Sequence, residues 1–252
     1  MGINMDKKID FEFRVTGDRQ GGQHAVLYWL FSQFRGRIFY KNNAMRGHNI
    51  LKRSQFPSLE LFRSNIFFDN DNDNDNDTIA TVALYEDKSV NYINNLPYLL
   101  HGEKKYDIII LRDPYNLFAS KIHGWRSYYK NSKRLDQFDE RLIAWKQKAE
   151  EVLSGKGYFI NFNKWHINKI YRKEIVSAFP KEAFKFNDSA KHFMPKHGGK
   201  SQWSGRKFMK EANKLDLFNR YKKIIKDPLM IRLMEDKEVA ELSNQIFGKI
   251  IE

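Results

Sequence analysis

A strand of sequence Phe11-Glu12-Phe13-Arg14-Val15-Thr16 runs into the turn Gly17-Asp18-Arg19-Gln20-Gly21-Gly22-Gln23-His24, which opens an apolar helix. Gly17 and Gly22 stand five apart, the spacing of the phosphate-binding loop G-x-x-x-x-G-K-[ST]. Glycines at those places let backbone N–H groups close around an anion at the positive end of the helix. Gln23 and His24 occupy the Lys and Ser/Thr positions. The lysine that reaches a β/γ-phosphate and the hydroxyl that holds Mg2+ are therefore both missing. The turn predicts a grip on a phosphate-like group without the usual metal–triphosphate chemistry, and a plain strand-to-helix turn is the alternative.

A second segment points to the same edge of a sheet. Ile108 to Leu111 form a continuous apolar run, as expected of a strand buried on both faces of a parallel sheet. Arg112 follows at its carboxyl end, where open α/β sheets bind ligands. Pro114 fits the first turn of the next helix, where its missing N–H costs nothing. On that helix Phe118, Ile122, Trp125 and Tyr129 make an apolar stripe, and Asn116, Ser120, His123 and Ser127 make a polar one. The pattern predicts that Ser120 points away from the core, on the side of Arg112. A guanidinium and a hydroxyl together make a receptor for a phosphate monoester. Otherwise Arg112 pairs with a carboxylate and Ser120 is a surface serine.

The two segments together resemble the sulfotransferases that use 3′-phosphoadenosine 5′-phosphosulfate (PAPS). In that family a P-loop-like turn after the first strand grips the 5′-phosphosulfate. A later strand ends in an Arg, followed eight residues on by a Ser, and these two bind the 3′-phosphate. Arg112 and Ser120 are eight residues apart here, with the family's proline at Pro114. The turn is similar to a branch reading roughly R-R-S-G-N-H-A-[IV] before a Trp-containing helix. This chain reads Arg19-Gln20-Gly21-Gly22-Gln23-His24-Ala25-Val26, with Trp29 following. The resemblance spans residues from about 11 to about 205, and only the two motifs are specific.

The resemblance implies a three-layer, P-loop-like α/β fold with a central, mostly parallel sheet flanked by helices. It implies transfer of a sulfuryl group from PAPS to a hydroxyl or amine, with carbohydrate and anionic acceptors among the candidates and no metal. Residues Arg19 to His24 would hold the phosphosulfate, and Arg112 and Ser120 the 3′-phosphate. Lys200, Ser201 and Trp203 would belong to the late loop that closes over the nucleotide. That loop reads Gly198-Gly199-Lys200-Ser201-Gln202-Trp203-Ser204-Gly205 where the branch reads roughly G-G-S-S-F-x-G. Gln20 stands where the family has a basic residue, which leaves Arg19 and His24 as candidates to stabilise the departing phosphate. The family's base is His in some branches and Glu in others. Glu86, at the end of the apolar run Ile79–Tyr85, is the first choice here, with Asp87 and His123 in reserve.

Composition bounds the rest. A chain of 252 residues with 41 % hydrophobic and 15 % aromatic residues can build one α/β domain, taken as residues 1–252. No apolar run approaches the ~20 residues of a membrane span. With no cysteine there is no disulfide framework, thiolate metal site or cysteine nucleophile, and no signal-peptide core begins the chain. These absences predict a cytoplasmic protein or a chain excised from a larger one. The net charge of +13 suits a nucleotide, an anionic acceptor, nucleic acid or a membrane face. Richness in Lys, Asn, Ile, Phe and Tyr also fits AT-rich coding DNA, so part of that excess has no binding role. The basic clusters Lys121–Lys133 and Lys164–Lys173 read as helix faces near the ligand edge. The repeat Asp69–Asp77 alternates Asp and Asn but lacks an EF-hand's central glycine and terminal Glu, and it reads as a mobile, solvated loop.

Further along, Arg134–Leu153 reads as a long helix, Tyr158–Phe162 as a strand and Trp165–Phe179 as a helix. Phe208, Ala212, Leu215 and Phe218 recur at helical spacing, as do Val239, Leu242, Ile246 and Ile250. Two rival functions remain. A nucleotide-dependent kinase would require Mg2+-ATP. A non-catalytic polyanion-binding module would leave the Arg112/Ser120 spacing unused; nucleic acid is not the expected partner.

Overall fold

The computed structural model describes residues 9–42, 44, 59–63, 78–95, 102–128, 137–192, 203, 208, 211 and 214–251. Its elements in chain order are β1 (Phe11–Gly17), α1 (Gln23–Phe31), β2 (Arg37–Lys41), β3 (Leu59–Arg63), β4 (Ile79–Glu86), α2 (Val90–Asn94), β5 (Lys104–Leu111) and α3 (Pro114–Tyr128). There follow α4 (Phe138–Leu153), β6 (Tyr158–Asn161), α5 (Phe162–Ile167), α6 (Lys169–Ser177), α7 (Pro228–Glu235) and α8 (Lys237–Phe247). The strands lie in the order β3-β2-β4-β1-β5-β6. Five of them, β2 to β6 excepting β3, with β1, run parallel, and β3 pairs antiparallel on the edge. The chain is thus α/β with a parallel central sheet flanked by helices.

Strand pleating explains the layers. Successive side chains of a strand point to opposite faces. In β5, Ile108 and Ile110 pack into one cluster with Leu27, Trp29, Phe162, Trp165 and Ile175. Ile109 and Leu111 pack into another with Phe118, Trp145, Met230 and Val239. The continuous apolar run is therefore two alternating sets, one for each helical layer. β1 and β4 are buried along nearly their whole length, as central strands between two layers should be.

Several expected boundaries move. The strand read as Tyr158–Phe162 stops at Asn161, whose side-chain oxygen accepts from the N–H of Lys164, 3.0 Å away, and so starts α5. The helix read as Trp165–Phe179 is two helices, because Asn168 adopts an extended backbone and caps α6 through Tyr171 N at 3.0 Å. The stripe over Phe208–Phe218 is not an α-helix at its described positions. There Leu217 gives its carbonyl to Arg112, and Arg220 gives its N–H to Asn116 Oδ1 at 2.9 Å, so α3 side chains replace helical hydrogen bonds. Ile250 lies past the end of α8, which stops at Gly248 with φ 77, yet it still packs on the second cluster. The first turn of α2 is closed from afar: Glu151 of α4 accepts from Val90 N and Asn91 N, each at 2.8 Å. Residues 134–136, Tyr129, Ala212 and the 69–77 repeat lie outside the described residues.

Candidate active site at the carboxyl edge of the sheet

The register brings the first expected pair of elements together. Gly17 of β1 stands opposite Glu86 of the parallel neighbour β4. Glu86 points to the α1 side, where Gln23 Nε2 donates to it at 2.7 Å and Arg19 Nε at 2.9 Å, and His24 Nε2 lies 4.0 Å away. His24 also contacts Asn42 Oδ1 at 3.2 Å. Gly22 caps α1 at φ 86 with no side chain to offer, so no side chain caps the first helical turn, and of its N–H groups Ala25 N turns back to Gly22 O at 3.0 Å. Gln20 takes φ 66 to complete the turn, and Gly21 N donates to Asp18 O at 2.8 Å. The result is an open helix N-terminus rimmed by one cation, one carboxylate, an amide and an imidazole.

Asp87, the residue after Glu86, turns to the opposite layer. It accepts from Arg19 N at 3.1 Å and pairs with Arg141 at 2.5 Å and Lys121 at 3.4 Å. Burial pushes its pKa up, but Lys121, Arg141 and Lys148 outweigh that and hold it below the usual carboxylate value. A carboxylate so held is a poor proton acceptor. His123 stacks on Trp203, with ring centroids 3.9 Å apart, and Lys223 sits over the same indole. That geometry ties both residues to the α3 surface rather than to the turn.

Arg112 is fully buried. One of its terminal nitrogens donates to Leu217 O, its Nε has no partner, and its carbon lies 5.3 Å from the Phe162 ring. Among the described residues no carboxylate lies within ion-pair distance of it, and burial, opposed by the nearby Asp113 charge, pulls its pKa down to about 10. Ser120 is also buried, contrary to the expected solvent-facing stripe. Its hydroxyl donates to Asn116 O at 2.9 Å and accepts from Arg220 at 2.8 Å. Arg220 was not legible as a site residue: it lies in irregular chain and reaches α3 only across 100 positions of sequence. Burial, then the neighbouring Arg112 charge, lowers its pKa to about 9. His166 is held at about 4 by burial and by Lys191, Arg112, Arg172 and Arg220.

One ring joins the two clusters. A Cβ on Gly22 would overlap Phe162, the same ring that lies beneath the Arg112 guanidinium, and His166 stacks on it too. Turn and guanidinium are therefore about one aromatic ring apart. Lys121, from the basic run read as a helix face near the ligand edge, is buried against Asp87 at the tip of β4. Lys200 and Ser201 lie outside the described residues. Among those that are described, no helix is long and apolar enough to cross a membrane. A scan against models of protein families finds no match to this chain, and a search of curated proteins finds none either.

Proposed function

We propose that this protein transfers a sulfuryl group from PAPS to a hydroxyl or amine of an acceptor. The observation that carries this reading is the pair of anion-receptive clusters on one sheet edge, separated by the Phe162 ring. A buried guanidinium is costly until its charge is compensated, and Arg112 has only the nearby Asp113 charge, with Nε left without a partner. The turn before α1 supplies a second anion site through first-turn N–H groups that no side chain caps. A nucleotide phosphorylated at both the 5′ and 3′ positions fits two such sites.

The chemistry then divides among named groups. Glu86 takes the proton of the acceptor as its oxygen or nitrogen bonds to sulfur. The bond from sulfur to the bridging oxygen breaks, and its electron pair leaves on the 5′-phosphate. The N–H groups of α1 and the guanidinium of Arg19 stabilise that leaving charge. Arg112, with Ser120 and Arg220 beside it, takes the 3′-phosphate.

Thermal denaturation tests the reading. Saturating 3′,5′-adenosine bisphosphate without Mg2+ should raise Tm well beyond the shift given by AMP. Equal shifts from the two nucleotides would remove the basis for a 3′-phosphate site. A larger shift from Mg2+-ATP would instead favour a kinase.

A further inference from the structure

Helices α5 and α6 each bury one side in the first cluster, through Phe162 and Trp165 in one and Ile175 and Val176 in the other. The corner between them leaves two isoleucines outside. Ile167, the last residue of α5, is 68 % exposed, and Ile170, in the first turn of α6, is 69 % exposed. Among the described residues these are the most exposed large apolar side chains. Asn168 between them has an extended backbone. Arg172 fixes the bend by donating to Trp165 O at 2.5 Å and to the two oxygens of Asp188 at 2.6 and 2.8 Å. The corner is therefore held in place without help from either isoleucine.

Exposed apolar residues scattered singly are ordinary, but this pair is set among cations. From Phe162 to Lys173 the chain carries Lys164, Lys169, Arg172 and Lys173 and no acidic residue. Asp188 neutralises Arg172, while among the described residues no carboxylate lies within ion-pair distance of the three exposed lysines. Lys173 rests over the Phe186 ring, and Glu174 follows it as the one acid of α6. We propose that the Ile167–Ile170 corner docks the protein on an anionic lipid surface. Both isoleucines enter the acyl boundary, and Lys164, Lys169 and Lys173 meet the headgroups. A protein partner fits this surface less well. Two aliphatic tips offer little of the packed aromatic core of a protein interface, and lysine is depleted there. A bilayer requires only protruding apolar tips with cations beside them. Because α5 starts at Asn161, level with Leu111 in the sheet, docking brings the carboxyl edge with Arg112 near the membrane. The inference does not depend on which nucleotide the protein binds.

Flotation of the full chain with lipid vesicles tests this. The parent should float with phosphatidylcholine vesicles carrying about 30 % phosphatidylserine, and far less with phosphatidylcholine alone. Ile167→Ser/Ile170→Ser should lower the partition coefficient roughly tenfold or more, with Tm unchanged because both side chains are exposed. Lys164→Gln/Lys169→Gln/Lys173→Gln should lower it at least about tenfold on the anionic vesicles. Ile225→Ser removes an exposed isoleucine elsewhere and should change nothing. Equal flotation of the parent and the isoleucine double variant overturns the proposal, since adsorption then comes from the +13 charge alone. An equal loss from Ile225→Ser overturns it as well. So does a parent that floats with neither vesicle, which would leave the corner to a protein partner. The chain has no cysteine, so Ile170→Cys can carry a single environment-sensitive dye. Its emission should move to the blue on anionic vesicles, and an unshifted spectrum overturns insertion of the corner.

Discussion

Arg112 keeps a full charge in the interior with a backbone carbonyl as its acceptor and one nitrogen unused. If a 3′-phosphate completes that shell, Arg112→Ala should weaken binding of the bisphosphate by ~2–3 kcal/mol in a calorimetric titration. Ser120→Ala should cost about 1 kcal/mol, since it removes one neutral hydroxyl and leaves Arg220 in place. Unchanged affinity in both variants would sink the assignment. Glu86→Gln keeps the side chain's shape and removes the proposed proton acceptor. Its turnover should fall roughly 10²-fold with nucleotide affinity intact. His166 provides a pH readout of the same region. Because burial and the surrounding cations hold its pKa at about 4 instead of 6.5, the unfolded chain binds a proton there that the folded chain refuses. Stability should therefore fall as pH drops from about 6.5 to 4, by about 3 kcal/mol in all. His166→Phe should flatten that slope in denaturation measured across the range. Bound bisphosphate should raise the imidazole pKa by neutralising Arg112 and Arg220, and identical NMR titrations with and without ligand would rule this out.

At the level of elements, the turn before α1 depends on two constraints at Gly22: a left-handed backbone and contact with Phe162. Gly155 has only the first, at φ 72 with open space around it. Gly155→Ala should therefore cost about 1 kcal/mol and Gly22→Ala at least about 2 kcal/mol in chemical denaturation. Equal losses would mean that the ring does not constrain the turn. The central strands were legible because burial on both faces demands continuous apolar runs, as in Ile79–Tyr85 and Ile108–Leu111. The break between α5 and α6 was hidden because Trp165 of α5 and Ile175 and Val176 of α6 feed one cluster, so the apolar rhythm passes over Asn168. Arg220 carries no local signal, since irregular chain has no periodicity to read. Lys148 did carry one: it sits among Phe138, Leu142, Trp145 and Ala149, where a lysine requires a buried partner.

For the whole molecule, the excess of positive charge predicts two kinds of anion binding that salt separates. Polyanions meeting the +13 surface should lose affinity steeply as ionic strength rises. A nucleotide held by the buried Arg112 should lose much less, because interior charges are poorly screened. A titration of bisphosphate and of heparin at low and physiological salt checks this, and parallel losses would place both on the surface. Assembly order follows from a feature at the far side of the sheet. The amides of Val90 and Asn91 find their acceptor in Glu151, about 60 residues downstream. During synthesis, α2 emerges long before that carboxylate exists, and a five-residue helix has little cooperativity of its own. Its amides should gain protection only when α4 docks, which pulse-labelled hydrogen exchange during refolding can time. Protection of Val90 and Asn91 ahead of α4 would show that Ser89, the local cap, suffices.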